Sequence, residues 1–176
     1  MDYFTLKIDK VTRKLPIVSI KANLKVASVN LLGDTELVVL VAKKLLIKLK
    51  ALEFDYFVGP EVKIVPLLQE LSRLTKSNRY VVCRKNIHGY MVSPIKSNLK
   101  NNFVIDGSDA NLLKEKRVVI VDDVVTTGST FYAIENLMEQ IGAKVVAKVA
   151  VFKQGDDLHP NNKNTIFVSS LPTFTT

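Results

Sequence analysis

The chain has 176 residues, 47% of them hydrophobic, enough for one well-buried core and short for two ordinary domains. Lys and Arg number 25 against 17 Asp and Glu, a net charge of +8, so the surface attracts anions; the basic residues are spread out, without zinc spacing, an RNP-like motif or Trp, and do not point to nucleic acid. The single cysteine, Cys83, rules out an internal disulfide and fits a reducing, cytoplasmic setting.

The start, Met-Asp-Tyr-Phe-Thr-Leu-Lys, lacks the charged and apolar regions of a signal peptide, so secretion is not expected. Residues 3 to 30 alternate apolar and polar in short runs, which predicts an antiparallel flap or hood over residues 1–33. Past Gly33, Asp34 or Thr35 is placed to cap a helix running to about Lys50. Its apolar stretch, Leu37 to Leu49, is interrupted by Lys43, Lys44 and Lys48 and falls short of the roughly 20 residues of a membrane span. Phe54 to Val58 reads as a strand, and Pro60 as the start of a helix with Ile64, Val65, Leu68, Leu71 and Leu74 in its core stripe. Tyr80 to Cys83 returns as a strand, with Cys83 a small buried apolar residue.

The polar stretch from about Asn86 to Asn102 is long for a structureless connection in a compact domain, the mark of a mobile lid. Four consecutive β-branched residues, Val118 to Val121, then read as a strand covered on both faces. A helix from about Thr130 to Ile141, a strand from Lys144 to Phe152 and a short strand near Ile166 to Val168 complete the order. Strands alternating with helices predict an α/β fold: a single doubly wound domain over residues 1–176 with a mainly parallel central sheet.

Three segments carry chemistry. Asp122 and Asp123 leave the β-branched strand at its carboxyl end, where open α/β sheets place ligands. Thr126, Thr127, Gly128, Ser129 and Thr130 follow, a small hydroxyl-rich turn entering a helix and suited to wrap a phosphate. Val58-Gly59-Pro60-Glu61-Val62-Lys63 makes a second turn on the same sheet edge, and Arg84-Lys85 adds two cations after the strand ending at Cys83. His88 is read as a solvent-facing loop residue and His159 as surface.

Residues 118 to 130 resemble the phosphoribosyl pyrophosphate (PRPP) signature of the type I phosphoribosyltransferases: an apolar strand, two acids, two apolar residues, then a Thr/Gly/Ser loop. Gly59-Pro60-Glu61 is similar to the pyrophosphate loop of adenine phosphoribosyltransferases, and Tyr90-Met91 with Pro94 resembles a smaller group of related proteins. The resemblance implies that Asp122 and Asp123 hold the ribose hydroxyls and that residues 126 to 130 hold the 5′-phosphate. It also implies that Glu61, Lys63, Arg84 and Lys85 line the pyrophosphate side, that Mg²⁺ arrives with PRPP or pyrophosphate, and that the chain forms a homodimer.

The implied activity is a purine phosphoribosyltransferase, with a purine base and PRPP giving a nucleoside monophosphate and pyrophosphate. Adenine is the favoured base; xanthine, hypoxanthine or guanine is the alternative, as is a non-catalytic PRPP-sensing or nucleotide-sensing regulator. Two features depart from the adenine enzymes. No acid lies between Asn86 and Asn102, and no Phe-Arg-Asp-Ile-like base-binding segment occurs near the N-terminus.

Overall fold

In the computed structural model, residues 2–99, 103–155 and 164–175 are described. Strand β1 (Tyr3–Ile8) folds back on β2 (Val11–Lys21) with Ile8 opposite Val11, so Asp9 and Lys10 alone form the turn. Asp9 takes a positive φ of 51° there, a backbone state that tight hairpin turns require and Asp tolerates. Strand β3 (Leu24–Ala27) pairs with β2, and the inward residues Leu6, Ile8, Val11 and Leu15 join the main core. The expected hood is therefore a packed antiparallel layer.

Helix α1 (Thr35–Leu49) begins as expected, with the Asp34 carboxylate accepting from Leu37 N–H at 3.1 Å. Arg13 of β2 grips the same carboxylate through two bonds of 2.7 and 2.8 Å and reaches Glu36 at 2.8 Å, tying hood to helix. The guanidinium holds Asp34 below the usual carboxylate range.

Strand β4 (Tyr56–Pro60) lies two residues later than the sequence suggests, because Asp55 is occupied outside it: its carboxylate accepts from Arg117 N–H at 2.8 Å. Pro60 ends this strand instead of opening a helix, since Gly59 and Pro60 continue the pairing with Val82 and Cys83. Helix α2 (Val65–Thr75) starts five residues later, with Pro66 in its first turn, where a missing N–H costs nothing. Strand β5 (Val81–Cys83) follows.

The stretch read as irregular contains β6 (Ile95–Lys96), which pairs as a short hairpin with β7 (Val104–Ile105) just beyond it, followed by helix α3 (Gly107–Leu113), which sequence periodicity did not reveal. Strand β8 (Arg117–Val125), helix α4 (Ser129–Gln140), β9 (Lys144–Gln154) and β10 (Ile166–Leu171) complete the main sheet. A last strand, β11 (Thr173–Thr175), adds to β3, making the antiparallel sheet four-stranded.

The five strands of the main sheet run parallel in the order β10-β9-β8-β4-β5. Side chains alternate across a strand, so Val119 and Val121 join the core with α1 and α2, while Val118 and Ile120 join the core with α3 and α4. This is why β8 must be apolar at consecutive positions: helices cover both its faces. The α/β architecture with a parallel central sheet matches the expectation.

Candidate active site at the carboxyl edge of the sheet

Strand β4 leads through α2 to β5 on one side, and β8 leads through α4 to β9 on the other. The connections diverge between β4 and β8, opening a crevice beyond their carboxyl ends, the usual ligand position in open α/β sheets. The pairing of β4 with β8 ends at Val58 opposite Ile120. There the chains approach so closely that a Cβ on Gly59 would lie 2.7 Å from Val121 O. Glycine is required by that contact.

Asp122 and Asp123 occupy the last part of β8, still paired on their other side with β9, and are only 8% and 9% exposed. Each turns an oxygen back to the chain: Asp122 Oδ1 accepts from Asp123 N–H and Asp123 Oδ1 from Val124 N–H, both at 2.9 Å. Burial first, then the neighbouring Asp123 carboxylate, pushes the Asp122 carboxyl well above its ordinary range. Lys63 Nζ lies 3.0 Å from Asp123 Oδ2. That oxygen is nevertheless buried without a hydrogen bond of good geometry, so the contact is chiefly one of charge.

Directly after β8, Thr126, Thr127 and Ser129 are exposed, Gly128 is buried and Thr130 is half-buried. Gly128 adopts φ 79° and ψ 16° as the residue preceding α4, the left-handed state that turns the chain into the helix. Ser129 N–H donates to Thr127 Oγ1 at 3.4 Å, a long bond that shapes the turn. The hydroxyl-rich segment thus leads into a twelve-residue helix with Gly128 at its N-cap and no side-chain cap, and the positive end of such a helix suits an anion.

The third element joins two loops. Glu61 N–H donates to Cys83 O at 2.9 Å, extending the β4–β5 pairing by one step. The Glu61 carboxylate then accepts from Arg84 Nε through one oxygen and from Lys85 N–H at 2.7 Å through the other. Burial opposes ionisation of Glu61, but the Lys85 N–H and the Arg84 guanidinium outweigh it and hold the carboxyl below its ordinary range. Arg84 also contacts His88 Nε2 at 3.2 Å, and the His88 ring stacks on Tyr90 with centroids 5.4 Å apart. His88 is half-buried in this contact, unlike the solvent-facing reading made from sequence.

Two sets of contacts result, Lys63 with Asp123 and Glu61 with Arg84 and Lys85, with Glu61 and Lys63 two residues apart in one turn, and residues 126–130 follow the acids in the chain. Lys85 is exposed, with its ammonium outside every ion pair among the described residues. His159 lies outside the described residues. Among the described residues no group of three or more His, Cys, Asp or Glu is placed to hold a metal ion.

Sequence reasoning missed Asp106. Its carboxylate caps α3 by accepting from Ser108 N–H at 2.9 Å and also accepts from Val92 N–H at 3.0 Å, while Gly107 N–H donates to Val92 O at 3.0 Å. Asp106, just beyond residues 86–102, thus fastens that segment to a helix. The signal was the capping sequence Asp106-Gly107-Ser108 ahead of Ala110, Leu112 and Leu113.

A family model described as a phosphoribosyl transferase domain matches residues 28–176. An orotate phosphoribosyltransferase from Archaeoglobus fulgidus is 33% identical over 64% of this chain and 56% of its own length. A hypoxanthine/guanine phosphoribosyltransferase from Ferroglobus placidus is 31% identical over 72% of this chain and 67% of its own. The chain thus spans between about half and two thirds of these relatives. Among solved structures, the adenine phosphoribosyltransferase of Thermoanaerobacter pseudethanolicus superposes with a TM-score of 0.71 at 21% identity, covering 89% of this chain and 95% of that one. The Trypanosoma brucei enzyme, solved with AMP, pyrophosphate and ribose-5-phosphate, gives a TM-score of 0.64 at 17% identity, covering 80% of this chain and 67% of that one.

Proposed function

Because the chain belongs to the phosphoribosyltransferase family, we propose that it transfers the ribose 5-phosphate of PRPP to a purine base, releasing pyrophosphate. The observation that carries the proposal is the buried acid pair of β8 set between a hydroxyl-rich helix start and Lys63. Adenine is favoured by the resemblance at Gly59-Pro60-Glu61, whereas a relative named for hypoxanthine and guanine favours a 6-oxopurine.

In this reading residues 126–130 hold the 5′-phosphate and the acids receive the ribose 2′ and 3′ hydroxyls. Asp123 Oδ2, buried and without a hydrogen bond, offers an acceptor for one of them. The reaction breaks the bond from the anomeric carbon to pyrophosphate and forms one to the base nitrogen, which gives up a proton. Positive charge develops on the ribose on the way. Lys63 and Lys85 balance the charge of the departing pyrophosphate, and the fixed cradle aligns the ribose, so no nucleophilic side chain is needed.

Mg²⁺ would arrive with PRPP, held mainly by the pyrophosphate and ribose oxygens, since this ion keeps several waters and favours phosphate oxygens. Waters would link it to Asp122 and Asp123, and when bound it would supply charge neutralisation at the pyrophosphate. Segment 86–102, of which 100–102 lie outside the described residues, serves as a lid that excludes water during transfer. The homodimer and the cytoplasmic location belong to the same proposal. No described helix is long and apolar enough to cross a membrane.

The test is release of pyrophosphate from PRPP and Mg²⁺ with adenine, hypoxanthine, guanine, xanthine or orotate supplied singly. Transfer to one or more purines is expected. Transfer to orotate alone would overturn the base class. Mg²⁺-dependent PRPP binding without transfer to any base would identify a sensing protein instead, and no PRPP binding would refute the site.

A further inference from the structure

We propose that Glu61 is a positioning residue, whose carboxylate locks the turn carrying Lys63 to the Arg84–Lys85 pair so that the two lysines meet a diphosphate at a preset spacing. The inference rests on the functional reading above and concerns how the pyrophosphate side of that site is built.

Glu61 lies two residues before Lys63, and its backbone N–H is already fixed to Cys83 O at 2.9 Å. Its two carboxylate oxygens go to two different donors of the neighbouring loop, the guanidinium of Arg84 and the backbone N–H of Lys85. The Glu61 and Arg84 side chains are only 22% and 32% exposed, so solvent screens this pair less than a surface one. Both oxygens are thus committed to protein. A carboxylate presented directly to a diphosphate would also repel it, so direct ligand contact by Glu61 is disfavoured on charge as well as on occupancy.

The two cations stand on separate loops, after β4 and after β5, and each loop could otherwise move alone. Holding them together before the ligand arrives removes part of the ordering cost of binding. Lys63 Nζ rests on Asp123, so it must also exchange one anion for another when ligand enters. A fixed backbone at 61–63 confines that exchange to the lysine side chain.

Binding of Mg²⁺-pyrophosphate, Mg²⁺-PRPP and a nucleoside monophosphate is measured by calorimetry for the parent, Glu61→Gln and Glu61→Ala, with a thermal melt for each. Glutamine keeps an acceptor for Lys85 N–H and loses the charge that grips Arg84. The expectation is that E61Q weakens pyrophosphate and PRPP about tenfold, changes the monophosphate less than about twofold, and melts near the parent, with E61A losing more. In the E61Q background the cost of Lys63→Ala should also shrink, because the preset spacing is already gone. Pyrophosphate binding that is unchanged or tighter in E61Q would overturn the proposal, since Glu61 would then merely neutralise Arg84. Equal losses for all three ligands with a lowered melt would overturn it in favour of a general structural role. A parent that binds PRPP and the monophosphate while E61Q behaves as the parent refutes only this inference; a parent that binds none of the ligands refutes the functional reading and this inference with it.

Discussion

Replacing Gly59 with Ala would place a methyl group 2.7 Å from Val121 O and 3.1 Å from both Ile64 Cγ2 and Leu68 Cδ1. The two side-chain atoms can turn aside. The carbonyl belongs to the buried strand β8 and yields only if β4 and β8 part at the mouth of the crevice. Overpacking of this kind costs about 1–3 kcal/mol, and the obstructing backbone atom puts the expectation at the upper end, about 3 kcal/mol. At about 2–4 °C per kcal/mol for a chain of this size, Tm should fall by about 6–12 °C. The displaced backbone adjoins Asp122 and leads into Glu61 and Lys63, so Mg²⁺-PRPP affinity should fall by about tenfold or more in calorimetry. Gly33→Ala is the comparator: its φ is 79° but nothing lies within 4 Å of the added methyl. It therefore carries the left-handed backbone cost alone, about 1–2 kcal/mol. Urea unfolding that places G59A within about 1 kcal/mol of the parent, with PRPP binding intact, would refute the argument.

Asp122→Asn should remove a pH-dependent term from stability. Burial and the neighbouring Asp123 carboxylate hold the folded Asp122 carboxyl above its ordinary range, so its contribution is complete below that range and is lost as pH rises from there toward the raised folded value. The stability of the parent relative to D122N should therefore decline across that window in urea titrations, and a flat difference would contradict the burial argument. Gly107→Ala would press a methyl to 2.6 Å from Val92 O and 2.7 Å from Ser93 O, so amide exchange at Val92 and Gly107 should accelerate; unchanged protection would show that α3 does not anchor this loop. Gly128→Val forces a β-branched residue to φ 79° at the start of α4 and should abolish nucleoside monophosphate binding while sparing pyrophosphate. Equal loss of both in calorimetry would mean the cradle is not specific to the 5′-phosphate.

Much of this architecture was legible because the signals were local or long. The β-branched run at 118–121 announced a doubly covered strand, and Asp34 announced the start of α1. The acids and the Thr/Gly/Ser turn were readable as neighbours because they share one strand-to-helix connection. Pro60 misled because proline suits both a helix start and a strand end, and only the pairing of Gly59 and Pro60 with Val82 and Cys83 decides between them. Helix α3 has seven residues and β6 two, too short for any period to emerge. The contacts of Glu61 with Arg84 and of Lys63 with Asp123 join residues far apart in sequence, and their charges alone do not specify partners.

Strand β11 pairs with β3 across nearly the whole chain, Thr173 lying opposite Val26, and Gln154 reinforces the junction by donating to Ala27 O at 3.0 Å. Loop-closure entropy delays such distant pairings relative to the successive strand–helix–strand units of the parallel sheet. Refolding should accordingly assemble the crevice between β4 and β8 before the antiparallel layer is complete. A transient species would hold its phosphate cradle while the edge of β3 is still open to a strand from another molecule. The quality of recovered protein then depends on chain concentration during this late step, and dilution favours the intramolecular partner.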